Sequence, residues 1–152
     1  MRNTNLLRSL PAVALVGTLG IALLGVANPA DSHFSTTAMK PLLQSIADAE
    51  AVQPNATGSV KQLAAELQKD ELTIGDQLAT ISGYYNINVD TTMPKGNGDA
   101  SAFVANQERS LGQLVGLFKQ ESSAGGAGQL RAYAAEALPI LEKDLAAVKA
   151  AH

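Results

Sequence analysis

The sequence predicts an all-α fold: an up-down-up-down four-helix bundle behind an N-terminal signal segment. Two observations carry this. Apolar residues recur at alternating steps of three and four in four separate stretches. The stretches are divided by clusters of Pro, Gly and Asn, and no series of alternating strands stands between them.

The first element is the signal. Arg2 and Arg8 give a positive start, and Leu10 to Ala27 carries no charge. Small residues follow, which is the order of a secretory signal. A cut after Ala27 places Gly25 and Ala27 at the two small positions a signal peptidase reads; a cut after Ala30 places Asn28 at the outer one. The competing reading is an uncleaved anchor, since the uncharged run from Ser9 to Ala30 is long enough to span a bilayer. Pro11, Thr18, three glycines and the lack of aromatic interface anchors count against it. The expected division is therefore 1–27 signal peptide, 28–36 flexible lead-in and 37–152 bundle.

Helix one is expected over Thr37 to Gln53, from Leu42, Leu43, Ile46, Ala47 and Ala49, with Pro41 suited to a first turn. Helix two is expected from about Gly58 to Tyr85, on Val60, Leu63 or Ala64, Leu67, Ile74, Leu78, Ile81 and Tyr85. Residues 86–98 hold Pro94, Gly96 and Gly98 and read as a loop, with one short extended piece over Tyr84 to Val89. Asp99 or Ser101 can cap helix three, whose stripe is Phe103 or Val104, Gln107, Leu111, Leu114 and Phe118. Ser122 to Gly128 breaks it. Helix four carries Leu130, Ala134, Ala137 or Leu138, Leu141, Leu145 and Val148, with a kink expected near Ala135 because Pro139 removes a backbone bond.

Composition narrows the function classes. The 152 residues are 46% hydrophobic, 16% charged and 4% aromatic, enough for one modest domain. The net charge is −3, and loss of Arg2 and Arg8 with the signal leaves nine basic against fourteen acidic side chains, a charge of −5. No basic surface is left to neutralise phosphates, so no nucleic acid partner is expected. Zero Cys excludes disulfides, thiolate metal sites, Cys nucleophiles and a lipidated Cys.

Val60-Lys61-Gln62-Leu63-Ala64, Lys69-Asp70-Glu71 and Gln77-Leu78 resemble the second helix of an exported bacterial family. Phe103-Val104 through Leu117-Phe118 is similar to its third. Leu130 to Ala135 and then Leu138-Pro139-Ile140-Leu141-Glu142-Lys143-Asp144-Leu145 resemble its last, including the internal Leu-Pro. That family is a domain of unknown function with a ferritin-like four-helix fold, and its members are often labelled outer-membrane or exported proteins. The likeness covers about residues 57–149 and implies a ferritin-like bundle. Where many members carry His, this chain has Glu71, Leu111 and Asp144. The resemblance therefore implies that any role of those imidazoles is lost or altered here.

A ferritin-like bundle raises the question of a dinuclear metal centre, built from inward Glu residues and two Glu-x-x-His pairs. None of the seven Glu residues is followed by His at the third position, and the only His residues are His33 and His152. An all-carboxylate Mg or Ca site lacks a regular ligand spacing, and both His are too terminal for a Ser-His-Asp arrangement. Glycine-rich turns at 96–98 and 125–128 precede helices, yet no strand leads into them and no Gly-Lys-Ser/Thr follows. Tyr84 and Tyr85 are expected to close one end of the bundle.

Two acids stand out as candidates for an interior polar site, Glu71 and Asp144. Glu71 lies in the apolar stripe, four after Leu67 and three before Ile74. Three readings compete for it: a flank position with the carboxylate in water, which the sequence favours; a buried pair fixing helix register; and a ligand or proton-handling site. Asp144, beside Leu145, is expected at a stripe edge. The sequence thus points to a periplasmic or secreted, non-enzymatic bundle that binds an envelope protein or component. No catalytic, cofactor or metal residues are expected, nor any membrane span in the mature form. The alternative is a ferritin-like metal-binding or redox-linked protein with a degenerate carboxylate site. A weak hydrolase, the third class, needs a polar pocket with converging carboxylates.

Overall fold

Four helices are present in the computed structural model, which describes residues 26–151: α1 Pro29–Val52, α2 Gly58–Tyr84, α3 Ala100–Ala124 and α4 Gly128–Ala150. No strand occurs among the described residues. The predicted signal lies almost wholly outside them. Helices of 23 to 27 residues are roughly 35–40 Å long. Their seams bury Leu42, Leu67, Ile74, Leu78, Leu111, Leu114, Leu130 and Leu141 almost completely. Every α3 stripe residue from Phe103 to Phe118 is buried as expected, except Val104, the half-buried alternative to Phe103.

The expected lead-in is part of the first helix from Pro29 onward. Residues 29–36 form the first two turns of α1, and Asp31, Phe34 and Ser35 are buried. Asn28 supplies the N-cap, accepting from Ala30 N at 2.8 Å and Asp31 N at 3.0 Å. In return Asp31 Oδ2 accepts from Asn28 N at 2.6 Å, which closes a capping box. Pro29 occupies the first turn, where its missing donor costs little, and Pro41 sits inside the helix instead. A polar run with a Pro reads as a turn, but here it is a cap followed by a buried face. Tyr84 is 72% exposed, so only Tyr85 helps close the bundle end, its hydroxyl accepting from Gln129 N at 3.3 Å.

The order of directions also differs from the expected up-down-up-down. α1 packs on α2 and α3, and α4 packs on α3 and α2. Along α1, Phe34 meets Phe118 while Ser45 meets Gln107, so α3 is antiparallel to α1. Ser45 meets Glu71 and Gln53 meets Gln68, so α2 is antiparallel to α1 as well. The bundle therefore runs up-down-down-up, with α2 parallel to α3. The cause is the connection between Tyr84 and Ala100, fifteen residues that reach roughly 50 Å when extended and so travel the whole bundle. It forms no short hairpin-like turn, and its expected extended piece forms no strand.

The crossover is pinned to α1. Gln44 Nε2 donates to Lys95 O at 3.3 Å, Asn97 N donates to Asp48 Oδ1 at 2.7 Å, and Asn55 Nδ2 donates to Gly98 O at 3.2 Å. Gly96 is required for this approach: a Cβ there would lie 1.9 Å from Ala47 O and 2.8 Å from Ala51 Cβ. Backbone on one side and backbone on the other leave nothing to move. Gly96→Ala is expected to detach the crossover or to destabilise the fold by about 3 kcal/mol, read as a lowered urea midpoint with faster amide exchange over 88–98.

Candidate functional site

Every helix contributes a buried polar residue to the middle of the bundle: Ser45 from α1, with Asp48 one turn on, Glu71 from α2, Gln107 from α3 and Asp144 from α4. Glu71 is fully buried, against the expected flank position, and Asp144 is 2% exposed, well inside the edge expected for it. The reason is helical register. Glu71 occupies the seam between Leu67 and Ile74, and Asp144 occupies the seam between Leu141 and Val148. Leu145, expected in the stripe, is only half-buried.

The hydrogen bonding fixes protonation states. Ser45 Oγ lies 2.7 Å from Glu71 Oε1 and also contacts Gln107 Oε1. Gln107 Nε2 donates to Ser45 O at 3.1 Å, which sets the amide so that its oxygen faces the hydroxyl. A serine has one proton to give, and an amide oxygen only accepts. Ser45 therefore donates to Gln107, and the remaining contact is satisfied when Glu71 carries a proton and donates to Ser45. Electrostatics agree. Burial pushes the Glu71 carboxyl up to about 8, and Asp144, Asp70 and Asp48 push the same way. Glu71 Oε2 has no hydrogen-bond partner.

Asp144 is tied to the surface on one side. Lys143 Nζ lies 3.3 Å from its Oδ1 and donates to Asp70 Oδ2 at 2.7 Å. Burial raises Asp144 to about 6, with Lys143 pulling down and Asp70 and Glu66 pushing up. Its Oδ2 is unpartnered.

A second acidic centre sits where the N-terminus of α1 meets the α3–α4 turn. Asp31 Oδ1 accepts from Gly126 N at 2.8 Å and Ala127 N at 3.1 Å. Burial raises Asp31, but these donors, Asn28 N and the Glu121 carboxyl outweigh it and hold it below the ordinary carboxylate range. Glu121 is pushed up to about 7 by burial and by its hydrogen bond to Asp31, so the two share a proton. Gly126 permits the contact, since a Cβ there would lie 2.1 Å from Asn28 Nδ2.

Sequence reasoning found Glu71 and Asp144 and missed Ser45, Gln107 as a polar partner, Asp31 and Glu121. The usable signal was register alone: steps of three and four through Asp31, Ser35, Ala38, Leu42, Ser45, Ala49 and Val52 include the polar residues. His33 is exposed on α1, and His152 lies outside the described residues. Among the described residues, no group of three or more His, Asp or Glu is placed to hold a metal ion. No described helix is long and apolar enough to cross a membrane. One concavity is separate from both acidic centres. It is an open groove of about 780 Å³ between α1 and residues 88–94, lined by Thr36, Lys40, Gln44, Asn88, Asp90 and Thr92 among others. No protein-family model, curated protein or solved structure matches this chain.

Proposed function

We propose that this is an exported, non-catalytic helical bundle that binds an envelope protein or component through its surface. The observation that carries the reading is where the acids lie. Glu71 and Asp144, the carboxyls best suited to acid–base work by their raised pKa values, are sealed between four helices, 0% and 2% exposed. A general acid must reach its substrate within hydrogen-bond distance, and neither carboxyl is open to solvent. The groove along α1 is open and of mixed character, with Leu43, Val89 and Pro94 among its polar side chains, which suits surface recognition. Export is supported by the start of the fold: the cap of α1 is Asn28, the residue that follows the predicted signal.

The alternative, a ferritin-like metal-binding or redox-linked protein with a degenerate site, has its own support. One long crossover is a feature of that architecture, and the resemblance over residues 57–149 points the same way. Purified exported chain separates the two. The binding reading expects no stoichiometric metal and expects cross-linkers placed at Lys40 to capture an envelope partner in intact cells. Near-stoichiometric iron, manganese or zinc would overturn it in favour of the alternative.

A further inference from the structure

We propose that the Ala27–Asn28 bond is the processing site of this chain, and that the α-ammonium freed there becomes a structural ligand of the buried Asp31 carboxylate. The proposal rests on the export reading and adds to it a specific consequence of cleavage for the fold.

The sequence leaves two cuts open, and the structure separates them. Residues 26–28 are not helical and Val26 is 89% exposed, whereas Ala30 lies in the first turn of α1. A cut after Ala30 would remove Asn28 and Pro29, and with them both halves of the capping box. A cut after Ala27 leaves the cap whole. Hydrolysis there adds water across the amide: the C–N bond breaks, Ala27 leaves as a carboxylate, and Asn28 N takes the protons to become an ammonium.

That nitrogen is already 2.6 Å from Asp31 Oδ2, and Asp31 is fully buried. Before cleavage the contact is a neutral amide on a carboxylate; afterwards it is an ion pair, about twice as strong in such hydrogen bonds. A positive charge at a helix N-terminus opposes the helix dipole. The dipole effect is diffuse and screened, however, while the carboxylate is in direct contact and out of water. Glu121 contributes the second observation: it is 4% exposed, hydrogen-bonded to Asp31, and its Oε1 has no partner. The charged and titratable groups facing this site are Asp31 and, on the same helix, His33; Glu121 on α3; and Arg131 on α4. The precursor thus forms a weaker bundle than the mature chain, which suits a polypeptide that crosses a membrane unfolded.

Two measurements test this. Intact mass of the exported chain is expected to begin at Asn28. A chain beginning at Asp31 or elsewhere overturns the proposal and leaves export standing; an uncut Met1 in the cytoplasm overturns both. The mature chain is then melted beside one that retains Ala27, which moves the ammonium one residue away. At pH 6 the Asn28 chain is expected to melt about 3–5 °C higher, although the retained Ala27 adds an apolar contact that works against this. The difference should vanish in Asp31→Asn and, in the native sequence, as pH rises through the amine. An amine whose pKa is raised by a carboxylate partner gives stabilisation that is fully present below its unfolded pKa and lost as pH rises through its folded one. Equal midpoints at pH 6, or a difference that persists in Asp31→Asn or at high pH, overturn the role of the ammonium.

Discussion

Replacing Glu71 by Gln is expected to stabilise the bundle at pH 8 and to leave it nearly unchanged at pH 4.5. The native carboxyl is raised to about 8 by burial, with Asp144, Asp70 and Asp48 adding to the rise, while the unfolded chain ionises it near 4.5. Between those values the unfolded state has lost the proton that the folded state keeps. Stability therefore falls as pH rises through that window and is fully retained below it. The loss is on the order of a few kcal/mol by pH 8. Gln cannot ionise, so it escapes the loss. Its amide can donate to Ser45 Oγ where the acid did, and the Ser45–Gln107 contact survives. Thermal midpoints measured at both pH values give the test, with a rise of roughly 10 °C expected at pH 8. A variant less stable than the native chain at both values would show that Glu71 is needed as an anion.

The same logic sets the pH profile of the whole bundle. Asp144 and Glu121 are also raised, to about 6 and about 7, mainly by burial, so each adds to the decline above pH 4.5. Asp31 is held below its ordinary range and acts oppositely, its stabilisation being lost as pH falls through its folded pKa. Maximum stability is expected at about pH 4–5, below the range usual for proteins. A urea midpoint that rises steadily from pH 5 to pH 8 would contradict the protonation states assigned to Glu71 and Glu121.

How much of this was legible follows from one physical fact: a helix seam is a matter of position, not of residue type. Phe103, Gln107, Leu111, Leu114 and Phe118 were readable because four of the five are apolar. Leu145 was preferred to Asp144 because it is apolar, although Asp144 keeps the step from Leu141 to Val148. Water outside a helix and a seam inside it differ by about 100° of rotation, so register is the stronger evidence when a long helix supplies it. Glu71 was placed at a flank because a lone buried charge is expensive. That argument assumed an ion; a protonated acid bonded to Ser45 avoids the expense. The partners that make this possible come from α1 and α3, and pairing across helices leaves no local trace in sequence. Chain direction was hidden for a similar reason. Residues 86–98 read correctly as a loop, but only the contacts of Asp48, Gln44 and Asn55 with residues 95–98 show that it spans the bundle.

Asp31→Ala is expected to destabilise the mature bundle by about 3–5 kcal/mol, through donors left without acceptors rather than through lost apolar contact. Asp31 accepts from Asn28 N, Gly126 N and Ala127 N, and it holds the Glu121 carboxyl. Gly126 and Ala127 belong to the turn between α3 and α4, ninety-five residues away in sequence, so one carboxylate fastens the first turn of α1 to that corner. Ala127 is fully buried, and water does not easily replace the lost acceptor there. Asp31→Asn should fall between, because one amide oxygen can still serve Gly126 and Ala127 while its NH₂ faces the Asn28 donor. The loss should be local as well as global. Amide exchange at Gly126 and Ala127 is expected to accelerate in Asp31→Ala more than exchange at Leu67 or Leu141 in the central seam. Uniform acceleration would mean that Asp31 acts only through total stability, and an unchanged midpoint would show that its buried hydrogen bonds are replaced by others. The contrast with Glu71 is the point of chemistry here. Both are buried acids in one small bundle, yet three backbone donors keep Asp31 an anion, whereas a single hydroxyl, already committed to an amide, leaves Glu71 holding its proton.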